Sequence, residues 1–219
     1  MEMEILELKK KKVFFLGDSI TEGVGASEYE KSYVPVFEKL SGAEVKNYGI
    51  GGTRIARQRE KTQEKWDRDF LGRVDEMDKN ADIVVVFGGT NDFGHGDAKI
   101  GSFDSRDEYT FYGALHILCI NLINKYPDAE IIFMTPLHRL GEEEKVNEFG
   151  RMREAPLSRY VDIIKEVAGY YGLRVLDLFH TSGIQPNVDI MREKYMPDGL
   201  HPSDAGAEKI ANRLYEFLR

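Results

Sequence analysis

Five short stretches, at residues 13–16, 44–48, 83–87, 130–134 and 174–178, read as strands by their apolar content. Runs of this length are expected where both faces of a parallel sheet are covered. Between and after them, apolar residues recur at spacings of three and four. Phe111, Ala114, Leu115, Leu118 and Leu122 form one such stripe, and Leu157, Tyr160, Val161, Ile164 and Ala168 a second. Ala207, Ile210, Ala211, Leu214, Phe217 and Leu218 form a third. Each is the pattern of one buried helix face. Strands alternating with helices imply right-handed crossovers, so the chain predicts an α/β three-layer sandwich around a flavodoxin-like five-stranded parallel sheet. The one long irregular connection in this pattern is 92–107, rich in Gly and Asp, and it is a candidate rim for a ligand pocket.

Length and composition narrow the class. A chain of 219 residues suits one compact domain over 1–219, and 42% hydrophobic with 31% charged residues argues for a folded globular protein rather than a disordered one. The net charge of -8 opposes binding to phosphate backbones and anionic lipid, which leaves a small molecule as the expected partner, with neither nucleic acid nor membrane. The basic run at 9–12 reads as a solvated strand entry. No segment reaches transmembrane length, and residues 1–8 are acidic without the apolar run of a signal peptide, so a cytoplasmic location is expected. Cys119 is the only cysteine; it lies in a helical stripe and reads as a buried structural thiol. Oligomeric state is not legible, and a homodimer is only the base-rate expectation.

Ligands of open parallel sheets bind beyond the carboxyl ends of the strands, so the residues that follow each strand are the ones to weigh. Gly17-Asp18-Ser19-Ile20 follows the first, 47–53 (NYGIGGT) the second and 88–92 (GGTND) the third, while Asp198-Gly199-Leu200-His201-Pro202 comes after the fifth. Ser19 at a strand-to-helix turn could be a simple N-cap; it becomes a nucleophile only with an imidazole in hydrogen-bond reach. Among five histidines, His201 is the best base, because Asp198 three residues earlier can accept from its Nδ1. His138 also follows a strand, and His95 lies in the irregular connection; both are candidate substrate contacts, whereas His116 and His180 read as structural. Donors for a tetrahedral oxyanion would be the Ser19 and Gly52 N–H groups and the Asn91 amide, with Gly51 as the alternative to Gly52.

Taken in order, Gly17-Asp18-Ser19, Gly52, Asn91 and Asp198-Gly199-Leu200-His201 resemble the four motif blocks of the SGNH hydrolase superfamily, also called the GDSL lipase or acylhydrolase family. The resemblance spans the chain from Val13 to the final helical stripe. It implies ester hydrolysis without metal or cofactor through an acyl-serine, with Ser19, Asp198 and His201 as catalytic residues and Ser19, Gly52 and Asn91 as the oxyanion hole. Asp18 would be mainly a scaffold residue, with a lesser expectation that it contacts substrate. The superfamily contains carbohydrate acetylesterases, arylesterases, thioesterases and lysophospholipases. The polar 92–107 stretch and the lack of an extended exposed apolar run favour a short acyl group, acetyl foremost, on a polar substrate such as a carbohydrate. Three rivals remain at this point: a non-catalytic carbohydrate-binding module, a phosphate-binding loop at 49–52 that fits neither common nucleotide fingerprint, and acyl transfer to an alcohol instead of water.

Overall fold

The computed structural model describes residues 8–147 and 149–219. In chain order it runs β1 (Lys12–Gly17), α1 (Ser19–Glu22), α2 (Tyr33–Ser41), β2 (Glu44–Gly49), α3 (Phe70–Glu76), β3 (Ile83–Phe87), α4 (Thr90–His95), α5 (Phe111–Lys125) and β4 (Glu130–Met134). It continues through α6 (Leu157–Tyr170), β5 (Arg174–Leu176), α7 (Leu178–Thr181), α8 (Asp189–Tyr195) and α9 (Asp204–Leu218). The five strands pair in the order β2-β1-β3-β4-β5 and every pairing is parallel. The predicted flavodoxin-like sheet is therefore the observed one.

Alternation along the strands builds the two outer layers. Phe14, Leu16, Val84, Val86, Ile131 and Phe133 face one way and pack with residues of α3, α5 and α6. Val13, Phe15, Ile83, Val85, Ile132 and Met134 face the other and pack with α2 and α9. Each such side chain removed from water contributes about 1.5–3 kcal/mol, which is why the central strands carry polar residues only at their first positions, Lys12 and Glu130. The edge strand β2 is only partly buried, and Lys46 and Asn47 are tolerated there for that reason.

Three expectations need correction. β5 stops at Leu176 rather than Leu178, because Asp177 accepts the His180 N–H and starts α7. The stretch at 92–107 is not irregular throughout: its first four residues belong to α4. Nor is it the one long connection, since 50–69 and 135–156 also run between regular elements. Among the described residues, no helix is long and apolar enough to cross a membrane.

Candidate active site

The carboxyl ends of β1, β2 and β3 and the loop before α9 bring the motif residues together. At the end of β1 the Asp18 carboxylate accepts the Ile20 N–H at 3.0 Å and caps α1, which leaves Ser19 as the first helical residue. Asp18 is 2% exposed, and burial, opposed by the Ile20 hydrogen bond and by Arg73, pushes its pKa up to about 7. Its carboxyl group caps a helix inside the protein, so the structure places it as scaffold and not as a substrate contact.

Ser19 Oγ lies 2.9 Å from His201 Nε2, across 182 residues of chain. His201 Nδ1 lies 2.7 Å from Asp198 Oδ2, and the other oxygen of Asp198 accepts the Leu200 and His201 N–H groups at 2.8 and 2.7 Å. That turn presets the imidazole: the carboxylate fixes both the backbone that carries it and the ring. Partial burial pushes the Asp198 carboxyl up, but the hydrogen bonds from the His201 N–H, its ring and the Leu200 N–H outweigh this, and its pKa falls below the ordinary carboxylate value. The turn is braced from outside. Ser27 donates through its N–H and hydroxyl to Asp204 at 2.7 and 2.8 Å, and Gly25, at φ 98°, packs so closely that a Cβ there would sit 2.7 Å from His201 Cβ.

On the opposite side, residues 49–53 curl over α1. The Gly51 N–H donates to Glu22 Oε2 at 2.8 Å, and Glu22 Oε1 pairs with Lys65 at 2.8 Å. Gly51 is thus occupied, whereas the Ser19 and Gly52 N–H groups have no acceptor among the described residues. Asn91 Nδ2 gives one hydrogen to Thr53 O at 3.0 Å, leaving its second. Of the two glycines, Gly52 is the one whose N–H has no acceptor among the described residues. Its φ of 78° and its approach to Trp66, whose Cδ1 would lie 2.1 Å from an added Cβ, both require glycine. Beneath this loop Arg73, 3% exposed, donates to Thr53 Oγ1 at 2.9 Å, Gly17 O at 3.1 Å and Tyr48 O. Asp92 accepts the Ile55 and Ala56 N–H groups, each at 2.9 Å, and burial pushes its pKa up to about 6.

The remaining histidines separate. His95 ends α4 and lines a cleft of about 310 Å³ with Thr62, Gln63, Trp66, Phe149 and Arg151. His138 does not line it; its Nδ1 lies 3.0 Å from both oxygens of Glu142 and its ring stacks on Phe179 with centroids 3.8 Å apart. These contacts close the turn after β4, and His138 stays partly exposed there. His116 bonds Tyr171 and Phe103, and His180 bonds Asp177, as structural histidines should. Of the 92–107 rim, His95 lines this cleft with residues of 62–66 and 149–151, while Asp92, Phe93, Gly96, Asp97 and Lys99 line a cavity of about 210 Å³ that shares Arg151 with it. Glu22, Arg54, Trp66 and Arg73 were not singled out in the sequence; the one tryptophan in the chain was the available signal. Among the described residues no three His, Cys, Asp or Glu side chains converge as a metal site.

The chain matches the GDSL-like lipase/acylhydrolase family over residues 15–209. It belongs to that family. The geometry around Ser19 has the form that acyl hydrolysis needs. A curated relative, the acetylxylan esterase of Xylanibacter ruminicola, is 24% identical over 95% of this chain; the chain spans 43% of that protein's length. A crystal structure from Lactobacillus plantarum is 29% identical and superposes with TM-score 0.81, covering 95% of this chain and 96% of that one. The acetyl xylan esterase AlAXEase, at 22% identity and TM-score 0.62 over 95% of this chain and 100% of that one, shares the fold.

Proposed function

We propose that the protein is a serine esterase that removes short acyl groups, acetyl foremost, from a small polar substrate of carbohydrate type. The observation that carries this reading is the unbroken chain of contacts from Ser19 Oγ through His201 to Asp198, 2.9 and then 2.7 Å long. Ser19 Oγ attacks the ester carbonyl as His201 Nε2 takes its proton, and Asp198 holds the tautomer that makes this transfer available. The oxyanion is met by the Ser19 N–H, the Gly52 N–H and the free hydrogen of Asn91 Nδ2. His201 then protonates the leaving alcohol oxygen as the C–O bond breaks. A water molecule, deprotonated in turn by His201, attacks the acyl-serine and releases the acid.

Two observations support the acyl and alcohol assignments. The similarity to an acetylxylan esterase supports acetyl transfer from a sugar to water. The cleft beside Gly52 mixes Trp66 and Phe149 with Thr62, Gln63, His95 and Arg151, and such a lining suits a ring bearing hydroxyls better than a hydrocarbon chain. Hydrolysis of 4-nitrophenyl esters from acetyl to decanoyl, by the wild type and by Ser19→Ala, followed by acetate release from acetylated sugars, tests the proposal. Turnover confined to short esters, abolished by the substitution and extending to acetylated sugars, is the expected result. Equal turnover by Ser19→Ala would overturn it, and a preference for decanoyl esters would overturn the acyl assignment.

A further inference from the structure

The cleft begins where the oxyanion donors end. α4 carries Asn91 and, four residues on and so on the same face, His95. Gly52 abuts the indole of Trp66, which stacks on the His95 ring with centroids 4.6 Å apart. Phe149 meets His95 edge-on at 6.5 Å. Both routes away from the oxyanion hole therefore lead into one space. Its volume of about 310 Å³ lies at the lower end of the roughly 300–1,000 Å³ of small-molecule sites, and it suits a single ring.

The polar side of this space is set by a residue beneath it. Arg54, 1% exposed, donates to Asp67 Oδ1 at 2.8 Å, Trp66 O at 3.2 Å and Thr62 Oγ1 at 3.3 Å, and its Nη1 lies 3.2 Å from His95 Nδ1. A guanidinium has only donors, so Nδ1 must accept and the ring proton of the neutral imidazole sits on Nε2. Burial, with Arg54 and Arg139 nearby, pushes the His95 pKa down to about 4, so the ring stays neutral at ordinary pH. His95 is thus a fixed N–H donor in the cleft.

We propose that this cleft is the subsite for the alcohol half of the ester and takes one pyranose ring, with Trp66 and Phe149 as apolar walls and the His95 Nε2–H donating to a ring hydroxyl. The inference rests on the esterase reading of Ser19 and His201. A pyranose offers an apolar C–H face to the aromatic walls and hydroxyls to His95 and Gln63. A hydrocarbon acyl chain in the same place would strip water from these polar groups and leave them unpaired, at about 1–3 kcal/mol each.

The test compares an acetylated methyl pyranoside with 4-nitrophenyl acetate, which has no hydroxyls to read. His95→Phe keeps a ring against Trp66 and removes the donor; His95→Gln restores an N–H; Trp66→Ala removes a wall. The ratio of kcat/KM for the pyranoside to that for 4-nitrophenyl acetate should fall at least tenfold in His95→Phe, chiefly through KM. It should recover in part in His95→Gln and fall at least tenfold in Trp66→Ala. Independently of any variant, the unacetylated methyl pyranoside should inhibit wild-type hydrolysis of 4-nitrophenyl acetate competitively. An unmoved ratio in His95→Phe, no inhibition up to the solubility limit of the glycoside, or a shift of Trp66→Ala towards hexanoyl esters would overturn the assignment, the last by putting the acyl group in the cleft. Activity retained in Ser19→Ala would instead overturn the esterase reading beneath it. An inactive Ser19→Ala beside an unmoved ratio leaves that reading standing and removes only the subsite.

Discussion

The two sides of Ser19 are built in opposite ways. On one side Asp198 and His201 lie three residues apart on a single turn, and the carboxylate is more than half exposed. On the other, Gly52 and Asn91 come from different strand ends and are held by Glu22, Arg73 and Asp92, of which the last two are buried. The proton-transfer arm is local and the oxyanion arm is long-range. A local pair can be lost with little cost to the fold, whereas the oxyanion arm shares its supports with the sheet.

That contrast sets a graded series of outcomes. Ser19→Ala serves both arms and should lower kcat on 4-nitrophenyl acetate by on the order of 10⁴-fold or more, with the melting temperature little changed. Asp198→Asn should lower kcat by about 10⁴-fold, again without a large thermal shift, since its bonds stay within one turn; a fall of many degrees would break the view of this arm as self-contained. Asn91→Ala should cost about 10²–10³ in kcat, as loss of one oxyanion donor does, and unlike Asp198→Asn it should also lower the melting temperature, because the Thr53 carbonyl loses its buried partner. Glu22→Ala frees the Gly51 N–H and should lower kcat by about tenfold with little change in KM, while Glu22→Gln, which still accepts from Gly51, recovers most of it. Equal kcat in the two variants would remove Glu22 from the support of Gly52.

The smallest effect concerns stability alone. The pKa of Asp18 rises from 3.8 unfolded to about 7 folded, so between these values the folded state binds more protons than the unfolded one. Stability therefore falls as pH rises through that window, by roughly 2–4 kcal/mol from this group. Asp18→Asn cannot ionise, and its melting temperature should drop less between pH 4 and 8 than that of the wild type; parallel curves would show that Asp18 does not set the slope.

The same division governs what could be read from the sequence. Asp198 and His201 announce themselves by their spacing, and Ser19 by the strand and glycine before it, so the proton-transfer arm was legible. Strand positions followed from apolar runs, although β5 ended early because a capping aspartate could not be told from a strand residue. Glu22, Arg54 and Trp66 owe their importance to partners 8 to 43 residues away, and no periodicity marks such pairs. α4 is not legible in the pattern because its six residues include four polar ones and a glycine, which propensity assigns to turns. The cleft walls at 62–66 and 149–151 lie in connections whose course the apolar pattern does not constrain.

The sequence offset of 182 positions from Ser19 to His201 bears on how the protein is made. A ribosome synthesises the nucleophile early and its base late, so for most of translation the hydroxyl is an ordinary serine with nothing to deprotonate it. On the esterase reading, reactivity waits for the turn that carries His201 to reach Ser19, which makes the closing of the fold and the switching-on of the nucleophile one event.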